Sequence, residues 1–266
     1  MDPMRYLVRL GAKIAPVVLT ASMLTVASGA TARAVSDGGW VYVDNTNMPF
    51  SLQNAHTITL QGAPDSTGRC QATLTLGRAA DEPPVTAVEM AYNESTCQQL
   101  IAIGTASPQQ PEPTSSGSAT SFAGQSGLVA RVAAPATLQR HGYFYTYWHD
   151  PAWLNVNSVE DEMTWNYSSP FIMGIVAAWD DLTWLSASGW YVTSHPAPVL
   201  TVDYNDYWAT LTTRASFYNT MFCGGTGTTY QPNTFKAYGD GRDTGSVSTW
   251  DWGCHSDWLH FASTLY

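Results

Sequence analysis

Short runs of β-type residues, each closed by Gly, Pro, Asn or Asp, recur along most of the chain and constrain its fold more than any other feature. Apolar and polar residues alternate at 71–76 and again at 159–167, as they do on the two faces of a half-buried strand. Residues 95–100 fit either a short helix or a strand. Further candidate strands lie at 40–43, 56–60, 85–92, 142–148, 208–219, 234–238 and 244–250, with a hairpin turn at 239–243. Many short strands with such turns predict an all-β, mainly antiparallel protein.

The composition changes sharply at residues 106–127, which are mostly Ser, Pro, Gln, Gly, Ala and Thr with almost no charge. Such a stretch cannot bury enough apolar area to offset the entropy lost on ordering, so it predicts a linker or a long loop. It divides the chain into a small β-rich module at 35–105 and a larger module at 128–266. The strand pattern of the larger module predicts a β-sandwich or jelly-roll-like fold.

The N-terminus has the organisation of a secretion signal. Three basic residues precede an apolar run at 14–27, and Ala32-Arg33-Ala34 supplies the small residues that a signal peptidase recognises. The apolar run is shorter than the roughly 20 residues of a membrane span. Residues 1–34 therefore predict a signal peptide and a secreted, extracellular protein with no stable membrane insertion after cleavage. A cut after Ala32 and a retained anchor are the alternatives.

Four cysteines in an exported chain predict disulfides, and they allow three pairings. Local pairing, Cys70–Cys97 and Cys223–Cys254, is the simplest arrangement because the low-complexity stretch separates the two pairs. Each bridge would close a loop of roughly 30 residues and contribute about 3–4 kcal/mol in the chain-entropy model. If both bridges form, no thiolate is left for nucleophilic catalysis or metal binding.

The charge balance limits the classes of partner. Removal of residues 1–34 leaves 232 residues with 7 basic and 20 acidic side chains, a formal net charge of −13, and Lys236 as the one lysine. Such a chain repels phosphate backbones and anionic membranes, so we expect no nucleic-acid partner. Neutral glycans, cations and cationic partners remain compatible with this charge.

Several short motifs stand out in the chain: Glu-Met-Ala-Tyr-Asn-Glu-Ser-Thr-Cys at 89–97, Gly-Tyr-Phe-Tyr-Thr-Tyr-Trp-His-Asp-Pro at 142–151, Val-Asn-Ser-Val at 156–159, Phe222-Cys223 and Gly253-Cys254. Together they resemble the motifs of a group of uncharacterised secreted actinobacterial β-rich proteins. The resemblance implies secretion and a β-rich fold. It implies no particular activity.

The aromatic strand at 142–148 and the turn that follows it contain the candidate binding residues. One face of this strand must pack against the core, and the other is either a second buried face or an exposed aromatic platform. Exposed rings would stack on sugar rings, while neighbouring polar groups would bind hydroxyls. The predicted ligand-binding residues are Tyr145, Tyr147, Trp148, His149, Asp150 and Trp153.

Acidic residues supply the alternative chemistry, since glycosidases use two carboxyl groups, one of them with a raised pKa. The candidates are Glu160, Asp161, Glu162, Asp180, Asp181, Asp203 and Asp206. Asp161 interrupts the apolar face of its strand, so it must be paired, hydrogen-bonded or at a sheet edge. Glu160 and Glu162 most simply form a solvated face. His255 and His260, five residues apart, cannot share a metal in regular structure, and no metal or cofactor is predicted.

The leading hypothesis from sequence is a secreted, disulfide-stabilised, non-enzymatic module that binds glycan or cell-surface polysaccharide. The chain contains no Gly-x-Ser-x-Gly, Ser-x-x-Lys or His-Glu-x-x-His pattern. The first alternative is a secreted hydrolase that acts on polysaccharide or ester bonds with two carboxylates or a scattered triad. The second is a structural or inhibitory secreted protein.

Overall fold

The structure is a computed structural model that describes residues 38–66, 68, 70–107, 137–221, 227–252 and 259–266. The predicted signal peptide at 1–34, most of the predicted linker, and Cys223 and Cys254 lie outside these residues. The strands are β1 (Val41–Tyr42), β2 (Leu52–Gln61), β3 (Ala63–Pro64), β4 (Cys70–Arg78), β5 (Val85–Asn93), β6 (Gln98–Ala106), β7 (Leu138–His149), β8 (Asn155–Ser168), β9 (Phe171–Trp184), β10 (Trp190–Ser194), β11 (Val199–Val202), β12 (Trp208–Asn219), β13 (Gly227–Tyr238), β14 (Asp243–Trp252) and β15 (His260–Leu265).

The strands form two antiparallel sheets, which confirms the predicted all-β fold. The first sheet has the order β2-β6-β5-β15-β7-β8-β9, with β1 beside β5, and the second has the order β10-β12-β13-β14-β4-β3, with β11 beside β12. One short 3₁₀ turn, Ser186–Ser188, is the helical element of the described residues. No helix in this part of the chain is long and apolar enough to cross a membrane.

Both sheets combine strands from the beginning and the end of the chain. β4 pairs with β14 in the second sheet, and β5 pairs with β15 in the first. The described strands thus do not divide into the separate 35–105 and 128–266 modules expected from sequence. The reason is visible in β4, where Leu74 and Leu76 are buried in a core to which β7, β8, β12 and β13 contribute.

The core lies between the inner faces of the two sheets. Phe144 and Trp165 from the first sheet and Leu211 and Phe235 from the second are fully buried there. Burying one such side chain contributes about 1.5–3 kcal/mol. The Phe144 ring also fills the space above Gly245 on β14, where an added Cβ would overlap the ring.

Buried polar groups tie the sheets together inside this core. Thr146 Oγ1 on β7 lies 3.0 Å from Gln231 Oε1 and from Asn233 Oδ1 on β13. At the start of β14, Asp243 is fully buried and forms ion pairs of 2.9 Å with both Arg78 and Arg140. Because buried polar groups need specific partners, these contacts favour one alignment of the first sheet against the second.

The predicted Cys70–Cys97 disulfide is confirmed, with the two Cα atoms 5.0 Å apart. It joins the start of β4 to the turn before β6. Residues 95–100 were compatible with a short helix or a strand. In the structure residues 94–97 form a turn, and the strand β6 begins at Gln98.

Candidate functional site

The aromatic side chains predicted to bind a ligand are enclosed by other residues. Tyr145, Tyr147 and Trp148 are 6%, 5% and 2% exposed, and Trp153 is 9% exposed. Trp148 lies in the core between the sheets, whereas the other three pack with Phe50 in a second apolar cluster on the outer face of the first sheet. β7 therefore has two buried faces, and these rings do not form an exposed platform.

His149 and Asp150 shape the turn that follows β7. The buried His149 ring stacks on the Trp153 ring with their centroids 3.7 Å apart and their planes 16° apart. Asp150 Oδ1 accepts hydrogen bonds of 2.9 Å from the backbone N–H groups of Ala152 and Leu154. These contacts give Asp150 and Trp153 structural roles in the turn.

A group of partly exposed carboxylates occurs on the outer face of the first sheet, on β8 and β9. Glu160 is the direct cross-strand partner of Asp181, and Glu162 is the partner of Trp179. Cross-strand partners have Cβ atoms about 4.5–5.5 Å apart, and residues i and i+2 on one strand are about 7 Å apart. The three carboxyl groups are thus crowded into one patch. We call it the carboxylate face and define it as Tyr143, Glu160, Glu162, Trp179 and Asp181.

The electrostatics of this patch favour protonation of one carboxyl group. Burial, together with the smaller effects of the neighbouring Glu162 and Asp181 carboxylates, raises the pKa of Glu160 to about 7. Burial also raises the pKa values of Glu162 and Asp181. Among the described residues, no lysine or arginine forms an ion pair with any of the three. Glu160 is therefore the carboxyl group poised to hold a proton near neutral pH.

Glu162 and Asp181 are each held by nearby donors. His141 Nε2 lies 3.0 Å from Glu162 Oε1, and the Trp179 side chain also hydrogen-bonds this carboxylate. Asp181 Oδ1 accepts a hydrogen bond of 2.9 Å from the backbone N–H of Leu182. Both contacts favour the ionised form, and each lowers the pKa of its carboxyl group against the effect of burial.

Aromatic rings border the carboxylates. Tyr143 and Trp179 are both half-buried, and Tyr143 stacks on Tyr266 with ring centroids 4.3 Å apart. The His141 ring centroid lies 6.4 Å from the ring centroids of both Tyr143 and Trp179. Carboxyl groups of unequal proton affinity, bordered by partly accessible rings, are suited to bind and polarise a polyhydroxylated ligand.

A second acidic pair lies on the inner faces of the same strands. Asp161 and Asp180 are cross-strand partners, and both are fully buried between the sheets. Burial raises the pKa of Asp161 well above its ordinary value, while the Thr213 side chain lowers it in part. His195 Nε2 lies 2.5 Å from Asp180 Oδ2. Because β8 lies between β7 and β9, Asp161 is not at a sheet edge, which was one of the three arrangements considered for it from the sequence, and this pair is enclosed by the core.

The other acidic candidates, Asp203 and Asp206, belong to the tight turn between β11 and β12. Asp203 Oδ2 accepts a 3.3 Å hydrogen bond from the backbone N–H of Asn205, and Asp206 has a φ of 59°. Both residues thus shape the turn and stand apart from the carboxylate face.

Two histidines lie next to each other at the end of the first sheet. His149 on β7 and His260 on β15 are cross-strand partners, and burial lowers their pKa values to about 3 and about 4. His255, the other histidine considered with His260, lies outside the described residues. Within the described ranges, no group of three or more His, Cys, Asp or Glu side chains is arranged to hold a metal ion.

Sequence reasoning named the three carboxylates but did not bring them together. The alternation in β8 correctly predicted that Glu160 and Glu162 share one face, but we expected that face to be solvated. The missing information was β9, whose register places Asp181 opposite Glu160. No family model, no curated protein and no solved structure matches the chain.

Proposed function

We propose that the protein is a secreted hydrolase that cleaves glycosidic bonds of a polysaccharide at the carboxylate face. The observation that carries this proposal is Glu160, a partly exposed carboxyl group with a pKa of about 7 directly opposite Asp181. Glycoside hydrolysis requires such a pair, one group protonated and the other ionised.

The two groups have complementary roles in this mechanism. Glu160 donates its proton to the oxygen of the leaving sugar as the glycosidic bond breaks. Asp181, which keeps the backbone hydrogen bond from Leu182, attacks the anomeric carbon from the other side. Cross-strand partners have Cβ atoms about 4.5–5.5 Å apart, which allows the two carboxyl groups to approach the separation of about 5–5.5 Å used by retaining enzymes. Glu160 then removes a proton from the water that releases the product.

The remaining residues of the face support binding and proton affinity. Glu162, fixed by His141 and Trp179, keeps negative charge beside Glu160 and thereby helps to raise its pKa. Tyr143 and Trp179 offer ring surface on which a sugar can stack. The excess of acidic residues favours a neutral or cationic polysaccharide over an anionic one.

An extracellular site of action accompanies this proposal. The Cys70–Cys97 disulfide supports it, because such bonds persist in oxidising compartments. The signal-like pattern of residues 1–34 supports it independently.

Release of reducing ends from a panel of neutral and amino-sugar polysaccharides tests the activity. We expect E160Q and D181N to reduce kcat at least a thousandfold, whereas E94Q, the same change at an exposed turn residue, leaves kcat unchanged. Azide added to D181A should restore turnover and yield a glycosyl azide. Absence of hydrolysis across the panel, or full activity in E160Q, would rule out the proposal.

Glycan binding without cleavage is the second candidate, favoured by the half-exposed rings of Tyr143 and Trp179. Isothermal titration with the same polysaccharides separates the two functions. Binding without products, lost in W179A and kept in E160Q, would establish a binding module in place of an enzyme.

A further inference from the structure

The paired histidines at the end of the first sheet have the features of a ligand site that is separate from the carboxylate face. His149 and His260 are 0% and 4% exposed, and their ring centroids are 5.7 Å apart. They project from directly paired positions of β7 and β15, so the backbone ladder fixes their separation.

One nitrogen of each ring has no partner. His149 Nδ1 lies 3.0 Å from the carbonyl oxygen of Asp150. Because a carbonyl oxygen only accepts, Nδ1 carries the proton and the lone pair is at Nε2, which is buried and has no hydrogen-bond partner. His260 Nδ1 is also buried without a partner. Metal-binding histidines commonly show this arrangement, with one nitrogen donating to a carbonyl and the other free to coordinate.

The surroundings hold these rings in place and supply compensating charge. The Trp153 ring stacks on His149, and its Nε1 is buried without a partner. The negative charge of Asp44, an exposed residue, raises the pKa of His260 against the effect of burial. The site thus combines free lone pairs, a rigid ring plane and one nearby carboxylate.

We propose that His149 Nε2 and His260 Nδ1 together bind one soft monovalent cation of the Cu⁺ and Ag⁺ class. Imidazole is a good ligand for copper, and the monovalent ions Cu⁺ and Ag⁺ accept two nitrogen ligands in a nearly linear arrangement. Structural Zn²⁺ needs four ligands, and the described residues hold no group of three His, Cys, Asp or Glu around one point. A single positive charge next to Asp44 also costs less to bury than a double one.

Calorimetric titration of the full mature chain with Ag⁺ tests this assignment, after alkylation of any free thiol. We expect one equivalent to bind, with at least a hundredfold weaker affinity in H149Q and H260Q and unchanged affinity in H141Q, a histidine on the exposed surface. Cu⁺ should compete in the presence of ascorbate, and Zn²⁺ should not.

A measurement on the unmodified chain covers the case in which a variant fails to fold. In ¹⁵N NMR of the imidazole rings, Ag⁺ should shift His149 Nε2 and His260 Nδ1 and leave their other nitrogens nearly unchanged. The assignment is overturned by the absence of saturable binding, by shifts confined to other histidines, or by a preference for Zn²⁺.

Discussion

Replacing Glu160 by Gln should make the protein more stable at neutral and alkaline pH while removing its activity. An acid whose pKa is raised on folding binds its proton more tightly in the folded state than in the unfolded state. Below pH 4.5 Glu160 is protonated in both the folded and the unfolded state, so its titration does not change the free energy of unfolding. As the pH rises from 4.5 to about 7 the unfolded chain releases its proton first, so the folded state loses stability.

The size of this effect follows from the two pKa values. A difference of one in pKa corresponds to about 1.4 kcal/mol, so a rise from 4.5 to about 7 costs about 3 kcal/mol at pH 8. Contact of the partly exposed carboxyl group with water lowers the expected gain in E160Q to about 2 kcal/mol. In a chain of this size that gain corresponds to an increase in Tm of about 4–8 °C.

Urea unfolding at pH values from 4 to 8, followed by tryptophan fluorescence, measures the difference in unfolding free energy between E160Q and the native chain. The subtraction cancels other titrating groups, such as Glu89, whose pKa burial also raises to about 7. E94Q, the same change at an exposed turn residue, is the control for the substitution itself. If E160Q were equally or less stable at pH 8, or if the difference did not change with pH, the electrostatic account of the carboxylate face would be wrong.

Two further predictions concern the packing of the sheets. G245A should lower the free energy of unfolding by about 2–3 kcal/mol because the new methyl group overlaps the Phe144 ring. F144L should relieve part of this overlap. Urea unfolding of the double variant should therefore show a smaller loss than the sum of the two single losses. D243N should cost about 3–5 kcal/mol because it leaves Arg78 and Arg140 without their buried partner. A loss below 1 kcal/mol in its thermal unfolding would mean that the two arginines find water instead.

Most of the fold was predictable where local sequence controls the strands. The predicted strand 208–219 coincides with β12, and alternation across 159–167 gave the correct faces of β8. β9, in contrast, was not recognised. Its sequence lacks alternation because two register shifts against β8 interrupt the strand, and the apolar residues at these shifts, Met173 and Val176, are exposed.

The candidate site depends on contacts that are distant in sequence, and for that reason sequence reasoning could not assemble it. Tyr145 and Tyr147 are buried because they pack in one apolar cluster with Phe50, which lies about a hundred positions earlier in the chain. The opposition of Glu160 and Asp181 required the register of β8 against β9, which neither strand specifies alone.

Strands β8 and β9 carry two acidic pairs on opposite faces of the sheet, and the differences between these pairs indicate which one is suited to catalysis. Asp161 and Asp180 are enclosed between the sheets, so no polymer can reach them without separating the sandwich. Glu160 and Asp181 experience the same kind of desolvation but keep contact with solvent beside partly exposed rings. A solvated surface face would leave carboxyl pKa values near their ordinary range, and a purely structural pair would be closed off or neutralised by a basic partner. The outer pair fits neither description. Carboxyl groups that are destabilising and yet accessible to solvent are typical of functional sites.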